Sequence, residues 1–261
     1  MTEASTMTEM ELRRTRMGEL FRAANPPPEV AEVTLVAVRT NRDPLAHPEL
    51  ADRWLSAAER HTPDLWRSEA RRSHWFAGRV AAREAGIAAG WALEPTEMTI
   101  TARPGGAPTL TSPRGVLDLS ITHSGDWAMA CACPRGWLLG IDYEIGADSR
   151  VHLARRVCAP TQRARHGLDP DAGTQARPGT FGAIWTLKEA LLKAWRVGLV
   201  VELDALRVER LPPGLDGPAT ISLAAAVDPR LPWPLPEGMW SGVTRWEEAP
   251  LAAVAARGGA G

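Results

Sequence analysis

Residues 116–144 read VLDLSITHSGDWAMACACPRGWLLGIDYE and contain three stretches with the patterning of strands. Apolar and polar side chains alternate over 116–122, and the apolar runs 127–133 and 137–144 follow. Alternation of this kind predicts a strand with one buried face. The tripeptide Pro134-Arg135-Gly136 separates the second run from the third, so we expect those two runs to form a hairpin.

On both sides of this segment the sequence has helical and strand patterns, and their order is similar in the two halves of the chain. Long helices are predicted at 63–89 and 181–197, and short ones at 151–158 and 160–166. Further strands are predicted at 33–39, 98–102, 206–210, 220–226, 239–246 and 251–256. This order predicts an α+β protein of two similar α/β halves, with a ligand site in the cleft between them.

The predicted boundaries follow composition. Residues 1–29 are polar and rich in Arg and Glu until three prolines at 26–28 stop any helix, so we expect a flexible N-terminal extension. The N-terminal half is expected at 30–146 and the C-terminal half at 147–261. The Gly-, Pro- and Asp-rich stretch 167–180 is expected to be a mobile loop.

Composition and charge exclude several protein classes. The 261 residues carry a formal net charge of -1, which argues against a strongly basic nucleic-acid binder. No apolar run approaches the roughly 20 residues of a membrane span, and the N-terminus lacks the apolar core of a secretory signal. The three cysteines form no C-x-x-C motif. We therefore expect a reduced, cytoplasmic protein without structural zinc.

The distribution of lysine is unusual. Of the 30 basic side chains 28 are Arg, and the two lysines, Lys188 and Lys193, lie five residues apart in one stretch, 185–193. Chance is one explanation. The alternative is that both positions need a compact ammonium instead of a planar guanidinium.

Asp142 and Glu144 lie two residues apart on a predicted strand. Their carboxylates therefore share one face, about 7 Å apart along the chain. Such a pair repels unless a cation lies between them, and oxygen ligands suit Mg²⁺. The alternative is a solvated polar strand face.

Glu189 and Lys193 lie four residues apart, on one face of the predicted helix 181–197. The alternative is a capping box formed by Thr186 and Glu189 together with an ordinary surface ion pair. Apolar residues at helical spacing upstream indicate that the helix begins before Thr186, which weakens the capping interpretation.

The predicted strand 116–122 ends at Thr122-His123-Ser124-Gly125, where a histidine stands beside hydroxyls and backbone N–H groups. This combination suits contact with a phosphate. The alternative is a turn histidine with no special role. A Ser/His/Asp hydrolase site is rejected, because neighbours at one turn cannot adopt triad geometry and no G-x-S-x-G motif is present.

Taken together and in this order, three motifs resemble the Sfp-type (surfactin-synthetase-activating) 4′-phosphopantetheinyl transferases. They are Thr122-His123-Ser124-Gly125, Gly140-Ile141-Asp142-Tyr143-Glu144 and the Trp185-x-x-Lys188-Glu189-Ala190-x-x-Lys193 stretch. The resemblance covers roughly residues 33–256. It implies a monomer of two similar halves with the active site between them, acting as a holo-[acyl-carrier-protein] synthase.

By this resemblance, the enzyme transfers the phosphopantetheine arm of coenzyme A to a serine of an apo acyl or peptidyl carrier protein. Fatty-acid, polyketide and nonribosomal peptide synthases all stay open as sources of the carrier. The resemblance also implies roles for individual residues. Asp142, Glu144 and Glu189 would hold Mg²⁺, with Glu189 also the general base; Lys193 would neutralise the pyrophosphate; and Thr122, His123, Lys188, Arg72 and Arg79 would contact coenzyme A.

The chain departs from the family pattern at several places. Ala107 stands where a lysine is usual, and His74 where an arginine is common. These two changes bear on coenzyme A affinity, and none of the departures removes a metal ligand. Two alternatives stay open: a carrier-binding relative that has lost catalysis, and a different coenzyme A-using transferase on the same fold.

Overall fold

The computed structural model describes residues 10–103, 106–169, 176–198, 201–224, 229, 231–232 and 234–258. The helices are α1 (Met17–Leu20), α2 (Pro28–Ala31), α3 (Pro48–Trp54), α4 (Glu69–Ala88), α5 (Ala154–Val157), α6 (Pro160–His166) and α7 (Thr180–Trp195). The strands are β1 (Leu12–Arg16), β2 (Thr34–Arg39), β3 (Thr99–Ala102), β4 (Pro108–Ser112), β5 (Gly115–Ser124), β6 (Trp127–Ala132), β7 (Trp137–Tyr143), β8 (Leu206–Arg210), β9 (Gly217–Pro218), β10 (Thr220–Leu223), β11 (Trp240–Trp246) and β12 (Ala249–Arg257).

The N-terminal half is an antiparallel sheet in the order β1-β2-β6-β5-β4-β3, with α4 packed against it. The hydroxyl of Ser68 caps α4 by accepting a hydrogen bond from the backbone N–H of Arg71. An apolar face of the helix that includes Phe76 and Val80 is completely buried. Burial of this face against the sheet is the main source of helix stability, since the helical sequence alone would be marginal.

The C-terminal half repeats the arrangement with β7-β12-β11-β9 and α7, while β8 and β10 form a separate two-stranded sheet. Helix α7 lies directly on β7 at Gly140. A β-carbon there would clash with the Ala190 carbonyl oxygen and lie 2.5 Å from the Ala194 nitrogen. The helix and strand can therefore approach this closely only because position 140 carries no side chain. Helix and antiparallel sheet in both halves confirm the α+β fold class.

The hairpin predicted from 127–133 and 137–144 is wrong. Strand β6 lies between β2 and β5, whereas β7 pairs with β12 of the other half, with Ile141 opposite Ala253. Strand β6 is buried throughout and β7 everywhere except at the partly buried Leu138, so the apolar pattern identifies the strands without identifying their partners. Strand β7 consequently lies in one sheet with three strands from the C-terminal part of the chain.

The N-terminal extension is not loosely attached over the part that the structure describes. Strand β1 pairs antiparallel with β2, with Arg14 opposite Val36. The next turn buries Met17 and Phe21 completely in the core. Edge pairing and two buried apolar side chains hold residues 10–29 to the domain, while residues 1–9 lie outside the described ranges.

Two further expectations concern less regular parts of the chain. The predicted loop 167–180 falls partly on residues 170–175, which lie outside the described residues. Among the helices that the structure describes, none combines the length and apolarity required to cross a membrane.

Candidate active site

Asp142 lies at the junction of the two halves, on β7, and is almost completely buried. Its Oδ1 accepts hydrogen bonds from the Thr122 hydroxyl at 3.0 Å and from Lys193 Nζ at 2.6 Å. Its Oδ2 is buried and has no partner among the described residues. Because a buried carboxylate oxygen without a donor is costly, Asp142 is not part of a solvated strand face.

Glu189 extends from α7 toward the same point. Burial raises the pKa of its carboxyl to about 7, and the charges of Asp142 and Glu144 act in the same direction while Lys193 opposes them. Its Oε1 is also buried without a partner in the described part of the chain. Glu189 is therefore a more basic carboxylate than usual, held beside two others.

Glu144 is the third carboxylate of this region, and we call Asp142, Glu144 and Glu189 the acidic group. Its carboxylate contacts Arg150 at 2.9 Å. Burial raises the pKa of Glu144 and the charge of Asp142 adds to this effect, whereas Arg150 and Ser124 favour the ionised form. The charge of Asp142 thus acts on Glu144, which directly follows the last residue of β7.

The capping alternative for Thr186 is excluded. Helix α7 begins at Thr180, and the Thr186 hydroxyl donates to the carbonyls of Gly182 and Ala183 inside the helix. Lys193 binds Asp142 on a neighbouring strand, so it is not simply a surface partner of Glu189.

Whether these residues fit a divalent cation depends on their chemistry and their placement. Within the described ranges, no three His, Cys, Asp or Glu side chains stand close enough together to hold a metal ion. The donors themselves fit: Asp142 and Glu189 present buried oxygens without partners in the described structure, and the negative charges of Asp142 and Glu144 raise the pKa of Glu189. Divalent hard cations prefer this oxygen chemistry, and a cation would relieve the repulsion.

A cavity of about 700 Å³ lies between α4 and the strands of the N-terminal sheet and reaches His123. Its wall combines two tryptophans, Trp66 and Trp75, with the basic side chains of Arg71, Arg79, His74 and His123. Trp66 and Trp75 pack edge to face with ring centroids 5.5 Å apart. Aromatic faces and positive charge together suit a nucleotide or another flat, anionic ligand.

His123 faces this cavity from the end of β5. Burial lowers the pKa of its imidazole, and the neighbouring His74 and Lys193 lower it further. Its ring centroid lies 5.3 Å from that of His74, whose Nε2 is 2.9 Å from the Gly125 carbonyl oxygen. The turn histidine therefore lines a cavity, and an anion bound there would favour its protonated form.

A comparison with protein families gives one match. Residues 138–223 match the family model of the 4′-phosphopantetheinyl transferase superfamily. The matched region is about a third of the chain and contains Asp142, Glu144, Glu189 and Lys193. It supports a superfamily likeness and phosphopantetheine transfer in general, without distinguishing the Sfp type. No curated protein matches the chain.

The structure corrects the expected role of Lys188. Its side chain is 0% exposed, and Nζ donates to the Val157 carbonyl at 2.6 Å, to Leu203 carbonyl at 2.9 Å and to Gln162 Oε1 at 3.0 Å. Burial lowers the pKa of Lys188 to about 8. Lys188 therefore joins α7 to neighbouring segments of its own half and cannot contact a bound ligand.

Substituting Lys188 with methionine is expected to lower the free energy of unfolding by about 2–4 kcal/mol, because three buried acceptors lose their donor. Urea denaturation of the purified variant measures the loss. The Michaelis constant for coenzyme A should stay unchanged for the folded fraction. Unchanged stability with a raised Michaelis constant would indicate instead that Lys188 contacts coenzyme A.

The guanidinium of Arg72 is also hydrogen-bonded within the protein. Its Nε donates to both carboxylate oxygens of Asp43, at 2.9 and 3.0 Å, and Nη1 donates to the Trp66 carbonyl at 2.8 Å. The Asp43 carboxylate raises the pKa of Arg72. Arg72 therefore braces the segment ahead of α4, which favours a structural role over the predicted contact with coenzyme A.

Arg79 does line the cavity, beside Glu59, with 3.4 Å between its Nε and Glu59 Oε1. Arg71 lies eight residues earlier on the same helix and lines the same wall. An arginine on a helix is usually solvated, so its residue type alone does not single out Arg71. The spacing of 71, 75 and 79 along α4 is the signal that could have grouped them on one face.

Proposed function

We propose that the protein transfers the 4′-phosphopantetheine arm of coenzyme A to a serine of an apo acyl or peptidyl carrier protein and releases 3′,5′-ADP. The observation that carries this proposal is the pair of buried carboxylate oxygens on Asp142 and Glu189 that have no partner among the described residues, with Lys193 paired to Asp142. The superfamily likeness of residues 138–223 supports the same reaction class.

The cavity suits the nucleotide end of coenzyme A. Its two tryptophans offer aromatic surface for a base, while Arg71, Arg79 and His123 offer positive charge for phosphate oxygens. Charge-assisted hydrogen bonds from guanidinium groups hold phosphates well. The pyrophosphate would then extend toward Lys193 and the acidic group at the junction of the two halves.

The reaction is a displacement at phosphorus. The serine oxygen of the carrier bonds to the phosphorus that carries the pantetheine arm, and the bond from that phosphorus to the bridging oxygen breaks. The departing 3′,5′-ADP takes the electron pair. Glu189 is the base that accepts the serine proton, because a carboxylate held at the site of attack can take a proton from the incoming hydroxyl.

Charge neutralisation is the other requirement of such a transfer. Lys193 supplies one positive charge where negative charge develops. Asp142, Glu144 and Glu189 would hold Mg²⁺, which supplies charge stabilisation on the pyrophosphate when bound. The proposal further describes a monomeric, cytoplasmic enzyme that needs neither nucleic acid nor a membrane.

The decisive experiment weighs the carrier. The protein is incubated with Mg²⁺, coenzyme A and each of a panel of apo carriers from fatty-acid, polyketide and nonribosomal peptide synthases, and the carriers are examined by intact mass spectrometry. A gain equal to one phosphopantetheine group supports the proposal and identifies the carrier class. Carrier binding with no mass gain from any carrier would instead support a silent carrier-binding relative. Coenzyme A consumption with no carrier modified would support a different transferase.

A further inference from the structure

Strands β5 and β7 belong to different sheets, yet they lie side by side at the junction of the halves. Side-chain hydroxyls connect them: the hydroxyls of Ser120, Thr122 and Ser124 accept hydrogen bonds from the backbone N–H groups of Ile141, Tyr143 and Ile145, at 2.9, 3.2 and 2.9 Å respectively. We call this set the hydroxyl ladder. It replaces the backbone pairing that would otherwise join neighbouring strands and fixes β7 in register with β5.

The two carboxylates of β7 alternate with the bonds of this ladder. Asp142 lies between the first and second bonds, and Glu144 between the second and third. The register of the ladder therefore determines where along β5 each carboxylate stands. A shift of one residue would turn both carboxylates to the opposite face of the strand.

The Thr122 hydroxyl has a specific second task. A hydroxyl carries one proton and can also accept, so an oxygen that accepts from the Tyr143 N–H keeps its proton to donate. That proton points to Asp142 Oδ1 at 3.0 Å, with the Tyr143 carbonyl farther away at 3.4 Å. Thr122 is 4% exposed, so it is not available to a ligand in the cavity.

Lys193 donates to the same Oδ1, so two donors converge on one oxygen of Asp142. The other oxygen, Oδ2, is left without a partner within the described structure. An Asp side chain fixed in this way has one oxygen held by the protein and one presented to whatever occupies the junction. Partners of this kind orient ligating carboxylates and tune their affinity for a metal.

We propose that Thr122 is a positioning residue that orients the Asp142 carboxylate for a divalent cation, and not a contact for coenzyme A. This inference rests on the proposed function, because it assigns Asp142 a metal. Ser124 repeats the arrangement toward Glu144, whose carboxylate its hydroxyl also faces. The hydroxyl ladder thus links the register between the two halves to the orientation of their acidic group.

Ser120 provides a matched control within the same ladder. Its hydroxyl accepts from the Ile141 N–H, as Thr122 accepts from the Tyr143 N–H. Among the hydrogen bonds of the described residues, none joins the Ser120 hydroxyl to the Asp142 carboxylate, whereas the Thr122 hydroxyl donates to it. Removing the Ser120 hydroxyl deletes one ladder bond alone, whereas removing the Thr122 hydroxyl deletes a ladder bond and the bond to Asp142.

The test measures Mn²⁺ binding to the full-length protein, with coenzyme A present and no carrier, by the electron paramagnetic resonance signal of the free ion. Thr122→Val is expected to weaken Mn²⁺ binding about 10- to 100-fold, the range for losing a partner of a metal ligand. Thr122→Ser and Ser120→Ala are expected to stay within about threefold of the wild type, which is small on that scale. In carrier assays the Mg²⁺ requirement of Thr122→Val should rise, while its Michaelis constant for coenzyme A stays unchanged.

Several results would overturn the inference. One is an active wild type whose Thr122→Val variant binds Mn²⁺ normally, and another is a Ser120→Ala variant that loses as much affinity as Thr122→Val. A raised Michaelis constant for coenzyme A with normal Mn²⁺ binding would indicate instead that Thr122 contacts coenzyme A. If Thr122→Val does not fold in a thermal unfolding assay, Thr122→Ala removes the same hydroxyl. A wild type that modifies no carrier, but whose Mn²⁺ binding still depends on the Thr122 hydroxyl, would reject the proposed function and retain the positioning role.

Discussion

Replacing Glu189 with glutamine is expected to lower the turnover number at least about 10³-fold, since loss of a general base alone costs about 10²- to 10⁴-fold. The amide has nearly the same size but cannot accept the serine proton, and it is a weaker ligand for a divalent cation. Steady-state kinetics with an apo carrier and saturating Mg²⁺ measure the effect.

The fold of this variant should be intact. Glu189 is half-buried with an unpartnered oxygen, and an uncharged side chain relieves both burial of charge and repulsion from its neighbours. The thermal unfolding temperature should therefore equal or exceed that of the wild type. Near-normal turnover in a stably folded Glu189→Gln variant would show that Glu189 is not the general base.

Lys193→Met is expected to lower the turnover number about 10²-fold or more, the usual cost of removing one donor to developing negative charge. The Michaelis constant for coenzyme A should rise much less, because the attraction strengthens as charge builds on the pyrophosphate. The variant keeps the length of the side chain and removes only its ammonium. Initial rates at varied coenzyme A concentrations separate the two constants.

Lys193→Arg is the companion variant. A guanidinium keeps the charge but is planar and longer than an ammonium, so it should restore turnover only in part. In this structure the ammonium also balances Asp142, so urea denaturation of both variants must accompany the kinetics. Wild-type turnover in Lys193→Met would show that Lys193 has only the structural task of pairing with Asp142.

The parts of the site that follow from local periodicity could be predicted from the sequence. A strand repeats every two residues, so Asp142 and Glu144 had to share a face. A helix returns after about four residues, so Glu189 and Lys193 had to face one region. The charges of Asp142, Glu144 and Lys193 all act on Glu189, which confirms that these segments meet.

The features of the structure that the sequence did not predict depend on contacts between distant segments. Helix α7 is apolar around most of its circumference, so the sequence does not indicate which of its two lysines enters the core and which faces the junction. Lys188 is directed by acceptors on Val157, Gln162 and Leu203, which no local pattern brings together. The pairing of β7 with β12 is likewise a choice among equally apolar strands.

The same limit applies to the N-terminal segment. Met17 and Phe21 have the spacing of one helical turn, but two apolar residues among charged neighbours are a weak signal. Their burial becomes evident only once β1 has paired with β2 and brought the turn over the core. A segment that looked dispensable in composition thus supplies an edge strand and two core side chains.

The contact at Gly140 couples the packing of the core to the spacing of the acidic side chains, two properties that are usually adjusted separately. The missing side chain sets the distance between the strand bearing Asp142 and the helix bearing Glu189 and Lys193. Any larger residue would push α7 outward, weakening the core and separating the carboxylates in a single step. An engineer who seeks a more stable or differently tuned enzyme therefore has no freedom at this position, and variation has to come from the cavity wall, where side chains can change without moving the backbone.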